Sequence, residues 1–153
     1  MRVLVVDDEL VSRKKMKKIL DGLGSCDTAE SGQDALVAYV KAWKDDAPYS
    51  LITLDISMPD IDGVEILKRI RSLEQAKNLA KEEQAKIIMV TASAERDTIV
   101  QCLRSACNDY IIKPFNRETV FAKLEKTGVA VGQKETDQRT PSGEQRASSA
   151  ANQ

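Results

Sequence analysis

Asp7, Asp8, Asp55 and Lys113 are the residues of this chain whose types and spacing can do chemistry, with Thr91 as a fifth. Each follows a short apolar run: Val3-Leu4-Val5-Val6 before the acid pair, Leu51-Ile52-Thr53-Leu54 before Asp55, Ile87-Ile88-Met89-Val90 before Thr91, and Tyr110-Ile111-Ile112 before Lys113. Runs of this length, rich in β-branched residues, are the mark of strands buried on both faces of a parallel sheet. Polar residues at the carboxyl ends of such strands converge on one crevice, which is where open α/β sheets bind ligands. Three acids and an ammonium in one crevice are costly unless something organises them. A hard divalent cation with oxygen ligands does so, and it leaves room for a phosphoryl group. Taken singly, the acid pair and Thr91 are ordinary helix caps and Lys113 is an ordinary loop lysine. Their common register is what favours a site.

The elements that must position these groups alternate along the chain. Strands are expected over residues 2–6, 25–29, 51–54, 87–90 and 110–112. Helices are expected over 11–23, 32–43, onward from Gly63, over 95–105 and over 117–126. Their inward stripes follow helical spacing: Met16, Ile19, Leu20 and Leu23; Ala35, Leu36, Tyr39 and Val40; Ile66, Leu67, Ile70 and Leu73; Ile99, Cys102 and Leu103; Val120, Phe121 and Leu124. Gly22 and Gly24 stop the first helix, and Asp45-Asp46-Ala47-Pro48 breaks the chain after the second. Met58-Pro59-Asp60-Ile61-Asp62-Gly63 is a turn by composition, with Asp60 and Asp62 as turn formers. Residues 74–86, rich in Ala, Glu, Gln and Lys, either lengthen the third helix or form a separate surface turn. The whole pattern is that of a doubly wound, five-stranded parallel α/β sheet with helices on both faces.

Composition narrows the function classes. A chain of 153 residues, 42% hydrophobic and 31% charged, has room for one soluble domain and a spare segment. The domain is expected over residues 1–127. Residues 128–153 contain no Leu, Ile or aromatic residue, and a flexible polar tail or a truncated linker is expected there. A net charge of −1 gives no bulk attraction to nucleic acid or membrane. No apolar stretch is long enough to span a bilayer, and Asp7-Asp8-Glu9 comes too early for a secretory signal. Cys26, Cys102 and Cys107 lack CxxC spacing and are expected to be reduced thiols in a cytoplasmic protein. The absence of histidine excludes Ser-His-Asp and Cys-His catalysis and histidine metal ligation. Any phosphohistidine in the chemistry must belong to another protein.

Four segments, in order, resemble the receiver domain of two-component response regulators, most closely its single-domain, CheY-type form with the flavodoxin-like fold. They are Val5-Val6-Asp7-Asp8, Asp55 to Gly63, Thr91-Ala92, and Asp109-Tyr110-Ile111-Ile112-Lys113-Pro114-Phe115. The resemblance covers Arg2 to about Thr127. It implies that Asp55 accepts a phosphoryl group and that Asp7, Asp8, Asp55 and the backbone carbonyl of Ser57 hold Mg²⁺, or Mn²⁺ in its place. It implies that Lys113 pairs with a phosphoryl oxygen, that Thr91 hydrogen-bonds the phosphoryl group, and that Tyr110 moves inward with Thr91. The Lys113–Pro114 peptide would be cis. The implied partners are a sensor histidine kinase or histidine phosphotransfer protein and a downstream protein target, with no nucleic acid or membrane, the protein being a monomer or weak homodimer. The output surface would be the fourth helix, fifth strand and fifth helix. Such a protein catalyses its own phosphorylation and dephosphorylation, and is a switch rather than an enzyme.

There are departures. Ala106-Cys107 stands where many members have glycine and alanine, the stretch from Asp55 to Thr91 is long, and Ser57 and Ser93 occupy positions that tune hydrolysis of the acyl phosphate. Two other functions compete. One is a phosphorylation-independent interaction module, which the intact acid, threonine and lysine set argues against. The other is a Mg²⁺-dependent hydrolase working through an aspartyl phosphate, which needs a second acid where Ser57 stands. The cluster Arg13 to Lys18 is expected to be a solvated helix face, with partner docking as the secondary reading.

Overall fold

The apolar runs form the parallel strands expected of them. The computed structural model describes residues 1–92 and 96–131. In chain order the elements are β1 (Arg2–Val6), α1 (Leu10–Leu20), β2 (Ser25–Ala29), α2 (Gly32–Lys44), β3 (Leu51–Asp55), α3 (Gly63–Ala76), β4 (Lys86–Thr91), α4 (Arg96–Arg104), β5 (Asp109–Ile112) and α5 (Arg117–Lys126), with 3₁₀ turns at Asp21–Leu23 and Lys81–Glu83. The sheet order is β2-β1-β3-β4-β5, parallel throughout. Strand alternation divides the core in two. Leu4, Val6, Ile52, Leu54, Ile87 and Met89 pack with α2 and α3, and Val3, Val5, Leu51, Ile88, Val90 and Ile111 pack with α1 and α5. Both faces of β1, β3 and β4 are therefore apolar, which is why these strands are continuous hydrophobic runs. Among the described residues no helix is long and apolar enough to cross a membrane.

The helices end in one recurrent way. After α2, α3, α4 and α5 a single residue adopts positive φ: Asp46, Asn78, Ala106 and Gly128. Each is followed by an amide that reaches back five residues, as in Ala47 to Ala42, Leu79 to Glu74, Cys107 to Cys102 and Val129 to Leu124. This is the Schellman arrangement, which satisfies carbonyls at a helix C-terminus. Gly128 takes its φ of 89° freely, whereas Ala106 holds 72° against its own Cβ.

Several expectations shift. The first helix gives way to the 3₁₀ turn after Leu20. Val40 is 39% exposed and Leu103 is 50% exposed, although the sequence stripes turn them inward. The buried line on α2 is Gly32, Ala35, Tyr39 and Ala42, and one position along a helix is more than a quarter of a turn. That line carries Tyr39 inward and turns Val40 toward solvent. Glu95, at the expected start of the fourth helix, lies outside the described residues, as does the segment 132–153. The chain still packs beyond residue 127, since Val129 is 7% exposed and lies with Leu124 in the core, with Val131 against it.

The long connection before β4 uses both options left open by its composition. α3 runs on to Ala76, and the 3₁₀ turn follows. Arg71 ties it down: its guanidinium donates to Glu74 at 2.7 Å, to the carbonyls of Ala85 and Ala106 at 2.8 and 3.0 Å, and to Asn108 at 2.9 Å. Glu74 is 1% exposed, and its other oxygen accepts the Ala85 amide. A buried charge pair with its remaining valences filled in this way is tolerated; removal of one partner leaves the other stranded. All three cysteines are free, and burial pushes the Cys26 and Cys107 thiols up to about 11.

Ala106→Gly relieves the left-handed strain after α4 and is expected to stabilise the protein by about 1 kcal/mol, read as a rise in the urea midpoint with an unchanged slope. A lower midpoint would show that Ala106 is not strained.

Candidate functional site

Strand register brings the predicted residues together. Val6 pairs with Leu54 and Asp55 with Val90, so Asp7 falls beside Asp55 and Thr91 one step beyond. Thr91 pairs with Ile112, which sets Lys113 at the same edge. Main-chain hydrogen bonds continue past the formal strand ends, from Asp7 to Ala29, Ile56 to Val90 and Lys113 to Thr91. They fix the chain while the side chains leave the sheet. The Lys113–Pro114 peptide is cis. A Cβ at Gly63 would lie 2.3 Å from the Asp55 carbonyl oxygen, so any other residue there would displace β3 or α3.

Asp7 and Asp55 are each 4% exposed, and Asp8 stands open to solvent. One carboxylate oxygen from each of the three lies within 4.8 Å of the others. Lys113 is the only ammonium in contact with them among the described residues, with Nζ 3.1 Å from Asp7 and 3.7 Å from Asp55. The backbone amides of Glu9 and Ser57 donate to Asp7 and Asp55 at 2.9 and 3.2 Å. Burial, reinforced by the charge of Asp7 and only partly offset by Lys113, pushes the Asp55 carboxyl up to about 7. Burial pulls the Lys113 ammonium down, but its hydrogen bond to Asp7 and the charges of Asp55, Asp7 and Glu9 outweigh this and leave it raised. The donor set consists of oxygens with excess negative charge, which fits a hard divalent cation such as Mg²⁺.

Of the other predicted residues, Ser57 is exposed at the rim and Thr91, 3% exposed, closes β4. Tyr110 is not in the crevice. It pairs with Met89, half-buried against the α2–α3 side of the core, with Lys123 Nζ 4.5 Å over its ring. Ser93 lies outside the described residues.

Further residues shape the site in roles that the sequence pattern did not assign to them. Glu9 Oε1 accepts from Ser12 at 2.6 Å and from Lys113 at 3.4 Å, and these two donors, Ser12 first, hold its carboxyl below the ordinary value. Arg13, expected to be solvated, is 9% exposed; it donates to the Asp7 carbonyl at 2.9 Å and lies 3.9 Å from Glu30. Its signal was present in the sequence, for Arg13 precedes Met16 by three and lies on the inward stripe of α1. Lys15 donates to the Phe115 carbonyl, joining α1 to the loop after Lys113. Asp60 accepts from the amides of Gly32 and Gln33 at 3.1 and 3.0 Å, so this residue of the loop after β3 caps α2, while Asp62 caps α3. Both are more than turn formers. Only a contact across 28 residues reveals the first.

Comparison with known proteins identifies the family. Residues 3–125 match the model of the response regulator receiver domain. The chain is 35% identical to chemotaxis protein CheY-3 of Vibrio cholerae over 126 residues, covering 82% of this chain and 90% of that one. It is 33% identical to chemotaxis protein CheY of Bacillus subtilis, covering 82% and 96%. Among solved structures it resembles that of the CheX-CheY-BeF3-Mg²⁺ complex from Borrelia burgdorferi, with a TM-score of 0.72, 27% identity and coverage of 85% and 90%. The chain belongs to the response regulator receiver domain family, the phosphoryl-accepting signalling modules of two-component systems.

Proposed function

We propose that Asp55 is the phosphoacceptor of this receiver, taking its phosphoryl group from a phosphohistidine on a sensor kinase or a phosphotransfer protein. The observation that carries this is the placement of a buried Asp55 between two further acids and Lys113 at one edge of the sheet. An Asp55 carboxylate oxygen attacks phosphorus, an O–P bond forms, the P–N bond to the donor imidazole breaks, and its electron pair returns to the ring nitrogen. Carboxylate and phosphoryl oxygens repel each other, so catalysis is positioning plus neutralisation of charge. Lys113, near both Asp7 and Asp55, supplies one positive charge. Asp7, Asp8, Asp55 and the Ser57 carbonyl would hold Mg²⁺, which supplies Lewis-acid neutralisation when bound. This chain completes no catalytic cycle on a separate substrate; its self-catalysed gain and loss of phosphate make it a switch.

The acyl phosphate brings charge and strong acceptors to the crevice. Thr91 is the hydroxyl at the end of β4 that answers it, and Tyr110, two residues back along β5 from the partner of Thr91, is the ring that repacks. The face this changes is that of α4, β5 and α5, where Leu103 and Ile112 are 50% and 36% exposed. A downstream protein that reads the switch binds there. The CheX–CheY complex from Borrelia burgdorferi is a precedent for a protein partner of a related receiver.

Intact mass after incubation with Mg²⁺ and acetyl phosphate tests the assignment. Wild type is expected to gain one base-labile phosphoryl group, and Asp55→Asn none. An adduct retained in Asp55→Asn would place the acceptor elsewhere.

The pH dependence of stability follows from Asp55. A carboxyl raised to about 7 on folding contributes stability that is complete below its unfolded value near 4 and is lost as pH rises through about 7. Chelator-treated protein is therefore expected to lose about 1–3 kcal/mol between these limits, and Asp55→Asn to lose less. Mg²⁺ should raise Tm more at pH 8 than at pH 5, because only the ionised crevice needs it. Calorimetry across this range checks both, and a pH-independent Mg²⁺ effect would contradict the site.

A further inference from the structure

Lys113 is not centred on the residue it is meant to serve. Its Nζ is 3.1 Å from Asp7, 3.4 Å from Glu9 and 3.7 Å from Asp55, so it leans toward the loop after β1. Glu9 is placed there by design of the local chain. Its backbone amide donates to Asp7 at 2.9 Å, and its Oε1 accepts both Lys113 and the Ser12 hydroxyl, the latter at 2.6 Å. The side chain is 61% exposed, while those of Asp7 and Asp55 are 6% and 5% exposed. Glu9 is thus a fixed negative charge at the mouth of a crevice whose floor is already acidic. A small anionic donor entering the crevice meets that charge, and Lys113 shares its positive charge between Glu9 and the incoming phosphoryl oxygens.

Resting on the assignment of Asp55 as phosphoacceptor, we propose that Glu9 is a charge gate, a positioning residue that holds Lys113 toward the β1–α1 loop and selects against highly charged small-molecule phosphodonors. A phosphohistidine on a docked protein arrives with binding energy of its own and is less affected; acetyl phosphate has only its charge and its diffusion. Ser12 sets the strength of the gate by fixing the oxygen that Lys113 shares.

Glu9→Gln keeps an oxygen for Ser12 and for Lys113 while removing the charge, and the residue is too exposed for the change to threaten folding. The rate of Asp55 phosphorylation is measured by quenched intact mass with saturating Mg²⁺. Two donors are compared: acetyl phosphate, and phosphoramidate, which carries less negative charge at neutral pH. Glu9→Gln is expected to raise the acetyl phosphate rate roughly 2- to 5-fold, to raise the phosphoramidate rate less, and to flatten the salt dependence of the former. Ser12→Ala, which keeps the charge but loosens its hold, is expected to speed both donors by a similar, smaller factor. An unchanged or slower Glu9→Gln rate with acetyl phosphate, or an equal gain with both donors, would overturn the gate. So would weakened Mg²⁺ binding in Glu9→Gln, which would make Glu9 a support of the cation site. Absence of any adduct on wild type would instead remove the phosphoacceptor assignment on which the gate depends.

Discussion

The structure turns on one electrostatic conflict: two buried aspartates and a third at the surface share a crevice that, among the described residues, contains a single ammonium. Asp7 and Asp55 are each 4% exposed, and their carboxylates, with that of Asp8, come within 4.8 Å. Burial, and after it the like charge of Asp7, opposes ionisation, which is why Asp55 is driven to about 7. A fold at its stability optimum would not contain such a cluster. Its presence fits an incoming cation, whose positive charge relieves what the resting protein leaves strained.

The surrounding chain holds the conflict in place. Parallel register delivers Asp7, Asp55, Thr91 and Lys113 to one edge, and the sheet interior is too well packed to let any of them retreat. Gly63 permits α3 to approach the Asp55 carbonyl, Arg13 anchors the Asp7 carbonyl, and Asp60 fastens the loop after β3 to the start of α2. At the far end of the sheet, the Arg71–Glu74–Asn108 network fixes the turn before β5. Both ends of β4 and β5 are therefore tethered.

Rigidity is not uniform. α3 buries six residues, whereas α4 buries only Cys102 and presents Leu103 to solvent. A helix with so little buried apolar surface sits at the low-stability end of a domain, where small changes in neighbouring packing alter its position. Thr91 and Tyr110 lie on the two strands beside it. A charge event at the crevice and an adjustable helix next to it are the two parts that a switch requires.

The sequence alone determined the fold class and which strand-end residues, Asp7, Asp55, Thr91 and Lys113, converge at one end of the sheet, because both depend on local pattern. Runs of β-branched residues define strands buried on both faces, and polar residues that end such strands must meet at one edge once the strands are parallel. The αL residues at helix ends are local too, though only the backbone reveals that Ala106 takes the place suited to glycine. Tertiary structure decided what lies across the chain. It turned Val40 and Leu103 outward, since helical spacing fixes the stripe's period but not which way it faces, and it carried packing on to Val129 and Val131. It drew Arg13 under Asp7, brought Asp60 to α2, and placed Glu9 against a lysine 104 residues away. Hydrogen bonds and ion pairs of this kind depend on where two distant backbones happen to pass, and a linear pattern does not encode that distance.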